Sequence, residues 1–113
     1  MALPIYNISD TFSVAGQLYP SDMNELVNLG FKSVIINRPD GEAGDQQPSG
    51  ATMLDAAREA GLEAAFQPVV IGAIGPRDVQ AFSKLLAQLP TPIVAYCKSG
   101  GRCLQLYQAS MSL

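Results

Sequence analysis

With 113 residues the chain has room for a single domain, and at 48% apolar against 15% charged residues it is too hydrophobic to stay disordered. It contains no histidine, which excludes a Ser-His-Asp triad, a Cys-His dyad and every histidine-ligated metal site. Its formal net charge of −3 gives no grip on nucleic acid or an anionic membrane, so any anion has to be held locally.

No apolar run approaches the ~18–20 residues of a membrane span. Residues 1–10 lack the basic start and apolar stretch of a secretion signal. The two cysteines, Cys97 and Cys103, do not make a disulfide framework and point to free thiols in a reducing cytoplasm.

Turn residues divide the chain into alternating strands and helices. Phe12 to Gly16 reads as the first strand. Pro20-Ser21-Asp22 opens a helix with Ser21 as its N-cap, an apolar stripe of Met23, Leu26 and Leu29, and Gly30 as its stop. Lys32 to Asn37 carries an unbroken Val-Ile-Ile run, the pattern of a strand covered on both faces. Arg38 to Ser49 is a long polar loop, of a length that in small domains is often functional. Ser49 caps a second helix, 50–60, that Gly61 ends. Leu62 to Val70 is a third strand region interrupted by Pro68. Pro76 takes the first position of a third helix, with Asp78 in its first turn and Val79, Phe82, Leu85 and Leu86 facing inward. Ile93 to Tyr96 is a fourth strand, and a last helix covers 101–110. This β-α-β-α-β-α-β-α order predicts a three-layer α/β domain, with a mostly parallel four- or five-stranded sheet and helices on both faces.

The chemistry concentrates in Cys97-Lys98-Ser99-Gly100-Gly101-Arg102. A buried strand delivers Cys97 to its C-terminal end, where open α/β sheets place ligands. Consecutive amides from Lys98 to Gly101, together with a helix N-terminus, form an anion-binding nest and favour the thiolate. Arg102 adds a fork of donors matched to two oxygens of a phosphate or similar oxyanion.

Together with this loop, several stretches resemble the phosphatase-like domain of the beta-lactamase hydrolase-like proteins, a family related to the protein tyrosine and dual-specificity phosphatases. They are Phe12 to Gln17, Gly30 to Asn37, Arg38-Pro39-Asp40-Gly41-Glu42, Gln46-Gln47-Pro48, and Pro68-Val69-Val70 leading to Asp78-Val79. The resemblance covers nearly the whole chain. It implies a cysteine-based phosphatase in which Cys97 attacks phosphorus and forms a phosphocysteine. Arg102 and the Lys98, Ser99, Gly100 and Gly101 segment hold the phosphate oxygens, and no metal or organic cofactor takes part.

Four features depart from the tyrosine phosphatase pattern. Only four residues separate Cys97 from Arg102 instead of five, a spacing shared with rhodanese-type sulfurtransferases. Tyr96 replaces the histidine before the cysteine, and Cys103 stands where serine or threonine helps the thiolate leave. The region around Gln67 to Gly72, where relatives carry the general acid, has no carboxylate. Asp40, Glu42 and Asp45 lie on the long loop at the same end of the sheet; Asp40 is the favoured acid, and Arg38 either binds the anion or pairs with these carboxylates. Two alternatives stay open at this point: sulfur transfer through a Cys97 persulfide, and a catalytically weak anion-binding or redox module. The sequence does not decide between a monomer and a homo-oligomer.

Overall fold

Five strands form one sheet in the order β1-β2-β5-β3-β4 in the computed structural model, which describes residues 3–113. β2 (Phe12–Ala15), β5 (Ile93–Tyr96), β3 (Ser33–Ile36) and β4 (Glu63–Phe66) run parallel, and β1 (Ile5–Asn7) pairs antiparallel with β2 at the edge. The helices are α1 (Met23–Asn28), α2 (Gly50–Glu59), α3 (Pro76–Gln88) and α4 (Gly101–Ser110).

Both faces of the sheet are covered, and the central strands show it residue by residue. Val34, Ile36, Val94 and Tyr96 join Met23 and Leu26 of α1 and Met53 and Ala57 of α2 in one core. Ile35, Ile93, Ala95 and Cys97 join Phe82 of α3 and Cys103 and Leu106 of α4 in the other. Successive side chains point to opposite faces, so a strand buried on both sides needs no polar alternation. Fully burying a residue such as Phe82 or Met53 contributes about 1.5–3 kcal/mol, and both are wholly enclosed.

The helix starts follow local chemistry. Ser49 Oγ accepts the Thr52 amide at 3.1 Å, as its N-cap position requires. Pro76 occupies the first turn of α3, and the Gly75 amide donates to Asp78 at 2.9 Å.

Three expectations are corrected. Ser21 is not an N-cap: Pro20–Asp22 forms a 3-10 turn in which the Tyr19 amide donates to Asp22 at 2.8 Å, and α1 begins one residue later. Leu29 is mostly exposed, because α1 ends before it. The first strand of the sheet is β1, whose three residues carry too short a pattern to be read without the partner that orders them.

The order of the strands sets the position of the chemistry. β5 enters last and lies between β2 and β3. The loop leaving its C-terminal end is therefore flanked by the loops leaving β2 and β3, at the kind of crevice where α/β sheets bind ligands.

Candidate active site

β5 ends at Tyr96, and the chain turns sharply before α4 starts at Gly101. Gly100 makes that turn with φ +93, in the left-handed region that a residue with a side chain rarely adopts. The Gly100 amide consequently points back at Cys97 and donates to its sulfur at 3.1 Å. Cys97 is only 1% exposed, but its sulfur faces polar donors and not hydrocarbon alone. The neighbouring Cys103 thiol and the backbone amides of Cys103, Ser99 and Arg102 favour the charged form of the sulfur. These contacts, the Cys103 thiol foremost, outweigh burial and bring the Cys97 pKa down to about 4. Burial beside that sulfur pushes the Cys103 thiol the other way, well above its ordinary value. Burial likewise raises the Tyr96 phenol.

Arg102 is 5% exposed and does not swing out to water. Its Nη1 donates to Glu42 Oε2 at 2.7 Å and to the Val69 carbonyl at 3.0 Å, and its Nη2 donates to Glu42 Oε1 at 2.9 Å. The same Glu42 Oε1 accepts from Arg38 Nε at 2.9 Å, and Arg38 Nη1 donates to Gln17 Oε1 at 3.0 Å. With Arg102 first and Arg38 second, the two cations hold Glu42 down to about 2 despite some desolvation. Glu42 in turn raises the pKa of Arg102. Above this cluster lies a cavity of about 240 Å³ lined by Ile71, Lys98, Ser99, Gly101, Arg102 and Gln105. A larger hollow, about 460 Å³, sits at the opposite end of the sheet around Asn7, Asp10, Phe31 and Pro92, away from both cysteines.

The structure sets the Gly100 amide on the Cys97 sulfur and gathers Lys98, Ser99, Gly101 and Arg102 around one cavity. It ties Arg38 to Gln17 and Glu42. Asp40 accepts the Gly50 amide at 2.7 Å, at the start of α2. The carboxylate that meets the arginine fork is thus Glu42, two residues beyond the favoured one. Gln17 and the Val69 carbonyl also belong to the cluster and were not singled out. The Arg38–Glu42 spacing was the available signal, since a cation and a carboxylate four residues apart on one loop are positioned to pair. No group of three or more potential metal ligands occurs among the described residues.

A parallel α/β sheet whose central strand ends in a cysteine, a tight amide-rich turn and a buried arginine defines the phosphatase-like class of α/β domains. The chain belongs to the family described as Beta-lactamase hydrolase-like protein, phosphatase-like domain, which matches residues 5–113. It is 39% identical over 100 residues to a beta-lactamase hydrolase-like protein of Agrobacterium fabrum, a match covering 88% of this chain and 23% of that protein. The chain spans about a quarter of the length of the curated relatives it matches. A crystal structure from Neisseria meningitidis, classed provisionally as a phosphatase, superimposes with a TM-score of 0.85 at 33% identity, over 94% of this chain and 75% of that one. Tk-PTP, solved in its active form, shares the fold at a TM-score of 0.70 and 17% identity, over 98% of this chain and 82% of its own.

Proposed function

We propose that this domain hydrolyses phosphomonoesters, phosphotyrosine among them, through a phosphocysteine on Cys97. The observation that carries the reading is the Cys97 sulfur accepting the Gly100 amide at 3.1 Å in the tight turn that leads directly to Arg102, whose side chain lines the adjoining cavity. The thiolate attacks phosphorus as the bond to the leaving oxygen breaks. Lys98, Ser99, Gly100 and Gly101 supply the backbone amides around the phosphoryl oxygens, and Arg102 supplies two further donors. Water then attacks phosphorus as the Asp40 carboxylate left by the first step takes its proton, the sulfur–phosphorus bond breaks, and the returning thiolate is received by the Cys103 thiol and the Gly100 amide.

Protonation of the leaving oxygen falls to Asp40 in this scheme. Glu42 is unsuited to it, because two arginines keep that carboxylate ionised throughout the neutral range. Asp40 lies on the same loop, is exposed, and has one oxygen engaged by Gly50. Arg38 acts on the substrate through Glu42, with which it is paired, and not by direct contact.

The test is hydrolysis of p-nitrophenyl phosphate and of a phosphotyrosyl peptide by the native chain, beside its Cys97→Ser variant. Native turnover abolished by the serine is the expected result. Absence of native turnover, together with conversion of thiosulfate and cyanide to thiocyanate, would replace this reading with sulfur transfer.

A further inference from the structure

The donors of Arg102 are shared out unevenly. A guanidinium offers five N–H groups in one plane. Two of them, one on Nη1 and one on Nη2, run parallel into the two oxygens of Glu42. The outer Nη1 proton goes to the Val69 carbonyl. Three donors are thereby consumed by the protein. Among the described residues no oxygen takes the Nε proton or the second Nη2 proton, and these two lie side by side on the remaining edge. That edge belongs to a guanidinium that lines the cavity beside Lys98, Ser99 and Gly101 of the turn after Cys97.

We propose that Glu42 is the positioning residue of the anion site: it grips the far end of the Arg102 fork so that the Nε/Nη2 edge is turned to the oxyanion above Cys97. The inference rests on the phosphatase reading and adds to it the residue that orients the clamp. Glu42 is itself braced. Its Oε1 also accepts from Arg38, whose other arm is fixed by Gln17. The loops leaving β2, β3 and β5 are therefore linked through Gln17, Arg38, Glu42 and Arg102 in one chain of hydrogen bonds. Glu42 does not occupy the substrate edge in this arrangement, because it takes the Nη1/Nη2 end of the fork and leaves the adjoining Nε/Nη2 edge free. An arginine released from Glu42 keeps its charge but loses its aim, and misplacement on the order of 1 Å costs up to about a hundredfold in such sites.

The experiment measures anion binding without requiring turnover. Cys97 is alkylated with iodoacetamide at neutral pH in the presence of increasing tungstate, a tetrahedral oxyanion. The concentration that halves the rate is compared in the native chain, Glu42→Gln and Glu42→Asp, each below its melting temperature. In Glu42→Gln it is expected to rise about tenfold to a hundredfold, and in Glu42→Asp, which keeps the charge on a shorter stem, by less. The alkylation rate without tungstate is measured in each variant and protection is read as a fraction of that rate, so that a change in the sulfur's own reactivity is separated from a change in anion binding. A half-protecting concentration unmoved in both variants, or lowered in either, overturns the proposal. If tungstate fails to protect the native chain, the anion site falls and this inference falls with it. Protection of the native chain that is unchanged in the variants overturns the role of Glu42 alone.

Discussion

Replacing Cys103 by alanine removes the largest single influence holding Cys97 ionised. A hydrogen bond to a charged group contributes about 1.5–3 kcal/mol, and 1.36 kcal/mol corresponds to one pKa unit. The Cys97 pKa is therefore expected to rise from about 4 by about one to two units, with the backbone amides sustaining the remainder of the shift. Cys103→Ser retains an O–H donor, and its Cys97 is expected to stay close to the native value. The assay is the pH dependence of iodoacetamide alkylation, followed with the ultraviolet absorbance of the thiolate. Since burial keeps the Cys103 thiol protonated through this range, the native profile contains one inflection from this pair. The same shift has a stability counterpart. A thiol whose folded pKa lies below its unfolded value of about 8.5 stabilises the fold fully above that pH, and the contribution is lost as pH falls through the folded pKa. Native stability is expected to climb between about pH 4 and 8.5, and the alanine variant to climb over a narrower window. An alanine profile that coincides with the native one, or a serine profile displaced as far as the alanine one, would refute this account of the thiolate.

Three other outcomes are expected. Asp40→Asn is expected to lower kcat for an alkyl phosphate about a hundredfold or more, and to act far less on p-nitrophenyl phosphate, whose leaving group needs little protonation. Its melting temperature should stay near native because the Asn Oδ1 can still accept the Gly50 amide that Asp40 accepts at 2.7 Å; equal losses on the two substrates would count against Asp40 as the proton donor. Gly50→Ala places a methyl group 2.8 Å from the Phe66 ring, which should cost about 1–3 kcal/mol in a denaturant titration; an unchanged midpoint would show that the ring yields freely. Glu42, held ionised down to about 2, stabilises the fold above its ordinary carboxylate range and loses that contribution as pH falls toward 2. With its side chain partly exposed, the pair with Arg102 is worth about 1 kcal/mol after solvent screening. Acid titrations of the native chain and Glu42→Gln should accordingly converge at low pH.

Most of the backbone was legible because its signals are local. The Val-Ile-Ile and Ile-Val-Ala runs gave two central strands, and Ser49 and Pro76 marked helix starts at their observed positions. Gly100 and Gly101 between Cys97 and Arg102 announced the amide turn, since the required bend is encoded in the glycine itself. That Arg38 pairs with a carboxylate of its own loop was one of two readings and is what the structure has; which carboxylate meets Arg102 was not legible, and the 38–49 loop shows why. Gly41 and Gly44 both take positive φ, and the bends they allow carry Glu42 back over Arg38 and across to Arg102 from α4. Asp40, two residues earlier, is left facing the amide of Gly50. A one-dimensional pattern registers Asp40, Glu42 and Asp45 as three equivalent charges at one end of a sheet. Their difference arises only when β5 inserts between β2 and β3 and brings Arg102 within reach. Sequence spacing reveals Cys97 and the amide-rich turn that follows it because one short segment contains both. An orienting carboxylate sixty residues away is fixed by tertiary structure and has to be read there.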